Sequence, residues 1–182
     1  MASNEKEYKV VEPKFSGEPE IGRWLWALDD TRNETLREVE RWTLEMLMWL
    51  PPDNVSSIWT ILYHIADIEV DWLFVEVLEQ SIPKVITDLF PYPTRDTQGH
   101  LTEVSSYDLD VHLARLTIVR SLLVEAFMKM DLADFRRVRT FEHYDVTPEW
   151  VIHHLIQHEA EHRGQLGSLR ASAERHIASA NA

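Results

Sequence analysis

The chain has 182 residues, with 31 acidic against 18 basic side chains, a formal net charge of -13 and no cysteine. Such a surface repels a phosphate backbone, and the missing thiols exclude disulfides, thiolate metal sites and a cysteine nucleophile. We therefore expect no nucleic-acid partner. No apolar leader and no run of about 18 apolar residues occurs, so we expect a cytoplasmic protein without a membrane span.

The first half of the chain begins with an arm and continues with helical patterns. Residues 1–18 carry charge and proline without a period, which predicts an extended N-terminal arm. Over residues 19–49 apolar side chains recur at helical spacing and predict a long first helix, which Pro51 and Pro52 stop. The polar stretch 29–34 within it is expected to be a solvated face.

A second helix is predicted over residues 58–78 by an apolar stripe. His64 lies on this stripe and should point toward the interior of a helix bundle or its edge. Asp67 and Asp71 follow close to the same face and could orient the histidine ring, whereas Glu69 lies further round. The alternative for these carboxylates is ordinary surface charge.

A long connection with several prolines, residues 81–104, separates the second helix from a third. The third helix is predicted from Leu109 to about Met130, and its apolar seam contains no histidine. His112 lies off that seam and is expected to be exposed. Residues 131–145 predict an irregular crossover or a short extended piece, whose three arginines are expected to form a salt-bridged surface.

A fourth helix is predicted to begin with Thr147 as its N-cap and Pro148 at its first position, and to end near Arg175 before a frayed tail, residues 176–182. Four amphipathic helices predict an all-α fold, a four-helix bundle with a long loop between helices 2 and 3. The bundle is expected to form a single domain over residues 19–175.

Two histidines occupy core positions of the fourth helix. His158 and His162 stand where the apolar pattern asks for Leu or Ile, and a separation of four residues brings both rings to one face, about 6 Å apart. That spacing lets both hold one metal ion. His154 is about 12 Å of rise from His162, so one ion cannot use all three. His64 points inward from another helix. The three histidines therefore have two interpretations: they bind a divalent metal, or they are ordinary residues packed in the core.

The run from His158 to His162 also matches the H-E-x-x-H pattern of zinc proteases. In that interpretation Glu159 would be the general base that acts on metal-bound water. Against a protease stands the helical pattern of the whole chain, which offers no sheet edge on which to lay a peptide.

Two segments, Leu62-Tyr63-His64-Ile65-Ala66-Asp67-Ile68-Glu69 followed by Trp72, and residues 154–166, resemble the two signatures of the DinB-like (YfiT-like) metalloprotein superfamily. That family is unrelated to the DNA polymerase of the same name. The resemblance implies a four-helix bundle in which one histidine of the second helix and two of the fourth bind a divalent metal. Carried over to this chain, the ligands are His64, His158 and His162.

The remaining residues of the second signature receive structural interpretations. His153 and His154 become residues that pack or support the site. Glu161 stands where many family members have a histidine, which leaves any role of that position open. Glu159 and Arg163 fit the common pattern, and we interpret them as an ion pair that braces the helix rather than as catalytic groups.

The resemblance implies a transferase that uses a low-molecular-weight thiol, such as bacillithiol, mycothiol or glutathione, and a small-molecule substrate. It also implies a homodimer. A metal-dependent hydrolase with metal-bound water as nucleophile and a non-enzymatic dimeric stress protein are the alternatives. Three imidazoles accept Zn, Ni, Fe, Mn or Co, so the sequence selects neither the metal nor a catalytic residue.

Overall fold

The computed structural model describes residue 6 and residues 8–51, 56–104 and 108–181. The predicted all-α fold is confirmed, since the only strands in these ranges are two residues long. The helices, in chain order, are α1 (Pro19–Glu40), α2 (Leu44–Met48), α3 (Ile58–Asp71) with a π-helical turn (Trp72–Val77), α4 (Lys84–Thr87), α5 (Leu109–Met128), α6 (Leu132–Phe135) and α7 (Pro148–Ala180).

The long helices α1, α3, α5 and α7 enclose the core. Helix α1 packs on α7 and α5, and α3 packs on the same two neighbours, so the four helices form a closed bundle. Their buried apolar side chains make one continuous cluster. The connection from α3 to α5 is long, as predicted, and contains the short helix α4. Within the described ranges, no helix has the length and apolarity to cross a bilayer.

The first predicted helix is wrong in its last third, after Glu40. Helix α1 ends at Glu40, and a separate short helix begins after Thr43, whose hydroxyl accepts a hydrogen bond from the amide of Met46 at 3.3 Å. A threonine in this capping role holds an extended backbone, which interrupts a continuous helix. Trp42, between the two helices, is buried in the core.

The fourth helix begins as predicted and ends later. The Thr147 hydroxyl accepts a hydrogen bond from the amide of Trp150 at 3.2 Å, and Pro148 takes the first helical position. Helix α7 runs to Ala180, beyond the predicted end at Arg175. The last turns are rich in alanine, the best helix former, and Ala173 is fully buried, so propensity and packing both extend the helix.

His112 is buried, which contradicts the predicted exposure. Its accessible fraction is 0%, and its ring lies 5.6 Å from that of Trp59 between centroids. Because α5 contacts both α1 and α3, its buried surface is wider than a single apolar seam. A polar residue beside the seam therefore falls inside the bundle.

The crossover before α7 contains a small antiparallel hairpin of β1 (Arg139–Thr140) and β2 (Asp145–Val146). The predicted salt bridges of its arginines are confirmed, since Arg136 and Arg137 pair with glutamates of other segments. Arg139 differs from the expected surface position. It is only 2% exposed, pairs with Asp134 at 3.0 Å and also donates to the Asp134 carbonyl at 2.7 Å.

Candidate metal centre

Three imidazoles meet where α3 packs against α7. The Nε2 atom of His158 lies 3.1 Å from Nε2 of His64 and 3.0 Å from Nε2 of His162. The three nitrogens all lie within 4.8 Å of one another. His64 and His162 are buried and His158 is half-buried. The helix packing thus brings together the three histidines that the sequence singled out.

The spacing of these nitrogens suits a shared metal ion. Imidazole nitrogens bind zinc at about 2.0–2.1 Å, so two ligands on one ion are about 3.0 Å apart at a right angle and about 3.4 Å apart at a tetrahedral angle. The two measured separations of 3.0 and 3.1 Å lie at the short end of that range. The donor set, three neutral nitrogens, is also one that divalent transition metals accept.

Burial keeps these histidines neutral. It lowers the pKa of His64 to about 4 and that of His158 to about 3, with the neighbouring histidines adding to the effect. Burial also lowers the pKa of His162. Neutral imidazole is the form that binds metals, because a nitrogen lone pair is then available.

The hydrogen bonds at the site favour lone pairs that face its centre. Nδ1 of His162 lies 2.9 Å from Oε1 of Gln165, which can only accept, so this nitrogen carries the proton and Nε2 carries the lone pair. Nε2 of His158 faces two ring nitrogens and holds either one hydrogen or one lone pair. It cannot form a full hydrogen bond with both, whereas a cation between the rings would satisfy all three.

The other two histidines of the motif pack elsewhere, as predicted. The ring of His154 stacks on Trp150 with centroids 5.1 Å apart and an interplanar angle of 8°. His153 is exposed and meets the edge of Trp24 at 6.0 Å. Glu161 is exposed and is not among the residues whose ligand atoms gather at the centre.

Glu159 does not pair with Arg163, which corrects the predicted brace. It belongs to a buried charge ring of four residues, Arg32, Glu69, Arg120 and Glu159, one from each long helix. Nε of Arg32 donates to Glu159 at 2.7 Å, and Nη2 of Arg120 donates to the same carboxylate at 2.6 Å. Arg163 instead points its Nη1 at the backbone carbonyl of Thr31, 3.4 Å away.

Both glutamates of the charge ring serve both arginines. Arg120 Nε donates to Glu69 at 2.8 Å, and Arg32 Nη2 donates to Glu69 at 3.1 Å. The remaining Nη1 groups reach backbone carbonyls, from Arg32 to Leu116 and from Arg120 to Leu28. The ring is therefore electrically balanced and hydrogen-bonded on every side, as a buried ionic cluster requires.

This arrangement removes Glu159 as a general base. Burial alone would raise the pKa of its carboxyl, but the charges of Arg32 and Arg120 outweigh burial and hold the pKa below its usual value. A carboxylate that is 1% exposed and bound to two guanidinium groups has no free oxygen for a proton. The protease-like role suggested by the letter pattern is thus disfavoured.

The charge ring is not predicted by the sequence patterns above, although the sequence carries a signal for it. The stretch that contains Arg32 was expected to be solvated and Glu69 to lie away from the site, yet both are buried. Each residue of the charge ring lies four residues after a fully buried apolar residue, so it lies on the helix face that points into the core. The pairs, core residue first, are Leu28 and Arg32, Ile65 and Glu69, Leu116 and Arg120, and Leu155 and Glu159.

Comparison with known protein families identifies the family of this chain. A family model described as the DinB superfamily matches residues 27–166. The match covers well over half of the chain and includes the three histidines of the site and all four members of the charge ring. No curated protein matches the chain.

Proposed function

The chain belongs to the DinB superfamily, and on this premise we propose that it binds one divalent metal ion through His64, His158 and His162. One observation carries the proposal. Three ring nitrogens from two helices converge, with two of their separations at 3.0 and 3.1 Å, in a protein interior where apolar side chains would pack as well. His162 is further oriented by Gln165.

We further propose that the metal serves a transfer reaction with a low-molecular-weight thiol. A divalent ion held by three imidazoles would keep a coordination position open and lower the pKa of a thiol cosubstrate there. The protein's own residues hold the lone pairs in place and keep the ligands neutral. The chain has no cysteine, so the nucleophilic sulfur must come from the cosubstrate, as the family resemblance implies.

Transfer is supported over hydrolysis by the state of Glu159. A hydrolase needs a base that takes a proton from water, and the carboxylate beside His158 is occupied by Arg32 and Arg120. A thiol needs less help, because its pKa of about 8.5 is far below that of water before any metal acts on either. Hydrolysis remains the outcome to be distinguished by experiment.

Metal analysis of protein purified without a histidine tag tests the site. We expect one divalent ion per chain, its loss in His158→Ala, and its retention in His153→Ala, a control histidine that is exposed on the same helix. Full metal content in His158→Ala would contradict the assignment.

Activity is then measured with a model electrophile and a panel of bacillithiol, mycothiol and glutathione. We expect turnover that needs both the thiol and the metal. Turnover of the electrophile without any thiol would instead indicate hydrolysis.

Homodimer formation and a cytoplasmic location stay predictions. The first comes from the family resemblance and the second from the sequence. Light scattering of the purified protein and fractionation of the source cells would check them. Neither is needed for the metal proposal.

A further inference from the structure

A cavity of about 500 Å³ is lined by residues of the hairpin, the π-helical turn and the first turn of α7. Three aromatic side chains line it, Trp72, Tyr144 and Trp150. The Trp72 ring lies 5.4 Å from that of Trp150 and 6.3 Å from that of Tyr144, between centroids. A concave site of this size suits a small molecule. We name it the aromatic cavity.

A continuous row of rings joins the aromatic cavity to the metal centre. Trp72 and Trp150 both contact the ring of His154, at 4.8 and 5.1 Å between centroids. The next ring along α7 is that of His158, at 5.9 Å from His154. One imidazole therefore separates the wall of the cavity from a proposed metal ligand.

Two irregular elements build the cavity. The π-helical turn begins at Trp72, and such turns often mark functional positions because they shift side chains off the regular helical register. The turn also carries Glu76, which is buried and accepts a hydrogen bond from the Tyr144 hydroxyl at 2.7 Å. This bond fixes the hairpin segment against α3 and raises the pKa of Tyr144 to about 12.

The charges around the aromatic cavity are negative. Asp145 lies at its wall, is exposed to solvent, and makes no ion pair with any residue that the structure describes. Glu76 stands behind Tyr144, and its second oxygen, Oε2, is buried without a hydrogen-bond partner in the described ranges. Asp71 is close enough to raise the pKa of both Glu76 and Tyr144, in each case as a smaller cause than burial or their mutual hydrogen bond.

The nearby basic residues do not offset this charge. The arginines of the adjoining crossover, Arg136, Arg137 and Arg139, are each engaged by a carboxylate. Among the described residues that line the cavity, none is Lys or Arg. Electron-rich ring faces beside an unpaired carboxylate attract organic cations, which bind over such faces with about 0.5–2 kcal/mol per contact.

We propose that the aromatic cavity binds the ammonium head of a small organic cation. A quaternary or tertiary ammonium fits because its methyl groups contact the rings while its charge faces Asp145. An anion would be repelled by these carboxylates, and a neutral ligand would gain nothing from their charge. The role of this cation as the substrate of the metal centre rests on the proposed function, whereas its binding does not.

The test compares choline with its neutral carbon isostere, 3,3-dimethylbutan-1-ol, by titration calorimetry on the full chain. We expect choline to bind at least about fivefold more tightly than the isostere, which is the preference that cation–π contacts of this size give. Trp150→Leu keeps apolar bulk but removes one ring face, and Asp145→Asn removes the charge. Each should weaken choline binding several-fold.

Two controls make the result specific. Trp150 is 47% exposed, so the leucine variant should fold, and Trp24→Leu is the matched control because Trp24 lies against His153 away from the cavity. Choline binding should be unchanged in Trp24→Leu. Equal affinity for the isostere, no measurable choline binding, or equal losses in Trp150→Leu and Trp24→Leu would each overturn the proposal.

Metal removal separates the two proposals. Titrations on chelator-treated protein should still show choline binding, since no metal ligand lines the aromatic cavity. If the metal analysis fails and choline binds, the cavity proposal stands and the metal proposal falls. If the metal is present and choline does not bind, the reverse holds.

Discussion

The buried charge ring gives the sharpest prediction about stability. Glu159→Gln keeps the size of the side chain and removes its charge, which leaves Arg32 and Arg120 with Glu69 as their only carboxylate partner in the part of the chain that the structure describes. The new amide group would also place hydrogen-bond donors against guanidinium donors. A net positive charge then remains in the core.

The expected cost follows from the contacts that are lost. Glu159 accepts from Arg32 at 2.7 and 3.3 Å and from Arg120 at 2.6 Å, and its side chain is 1% exposed. Breaking a buried ion pair on one side typically costs about 3–5 kcal/mol, because the partner charge stays buried and uncompensated. We expect Glu159→Gln to lower the free energy of unfolding by about that amount.

The charge-balanced double variant separates the loss of charge balance from the loss of packing. Arg120→Met with Glu159→Gln leaves the neutral pair of Arg32 and Glu69, whose closest atoms are 3.1 Å apart. The double variant should cost less than the sum of the two single variants, by about 1–3 kcal/mol of coupling. This coupling should be absent for residues that do not share the charge ring.

Urea denaturation followed by tryptophan fluorescence and by circular dichroism measures these differences. Glu125→Gln is the control, since Glu125 forms an exposed ion pair with Lys129 on α5 and its loss should leave the midpoint unchanged. An unfolding free energy of Glu159→Gln equal to that of the unchanged chain would refute the reasoning. So would strictly additive effects in the double variant.

Three further predictions concern other parts of the bundle. Folding lowers the pKa of His64 to about 4 and that of His158 to about 3, so below about pH 6.5 the metal-free unfolded chain binds more protons than the folded chain. The urea midpoint of the metal-free protein should therefore fall as the pH is lowered from about 6.5 toward about 4. A midpoint that does not change over this pH range would contradict the prediction. Gly22→Ala would place a Cβ 2.9 Å from Cβ of Pro13, which is too close, so the N-terminal arm should be displaced from α1. Limited proteolysis should then cut the arm faster, and an unchanged cleavage rate would contradict the contact. His112→Ala should cost about 2–4 kcal/mol in urea by opening a cavity, and a neutral effect would be inconsistent with its burial.

The helices could be predicted because the apolar stripes are long and regular. The cap of α7 is explicit in Thr147 and Pro148, and the two histidines of that helix replace core residues at the expected spacing. The break after Glu40 could not be seen, since the apolar period continues across it. The capping hydrogen bond from the amide of Met46 to the Thr43 hydroxyl favours a new helix start over continuation of the first helix.

The site could be predicted only in part. Spacing along α7 identifies His158 and His162, and the apolar stripe of the second helix places His64 inward. Its assignment as the third ligand came from the family resemblance, because no local pattern states which residues of two helices meet. The charge ring could not be predicted for the same reason, because its residues come from four different helices. Its members Arg32 and Glu159 are 127 residues apart in sequence, and charged residues at these positions are more often solvated.

The aromatic cavity depends on irregular structure and was not predicted. The apolar stripe of the second helix continues through Trp72 to Val77, so the sequence suggests an ordinary α-helix where a π-helical turn occurs. The facing wall of the cavity is formed by a hairpin whose strands are only two residues long. Elements this short carry almost no periodic signal.

The central claim is that three imidazoles bind one divalent ion, and X-ray absorption of the metal-loaded protein tests it most directly. We expect three imidazole scatterers per ion at about 2.0–2.1 Å. His64→Ala should reduce that number by one, while His154→Ala should leave it unchanged. A shell with fewer than three imidazoles in the unchanged chain, or one unaffected by His64→Ala, would contradict the assignment.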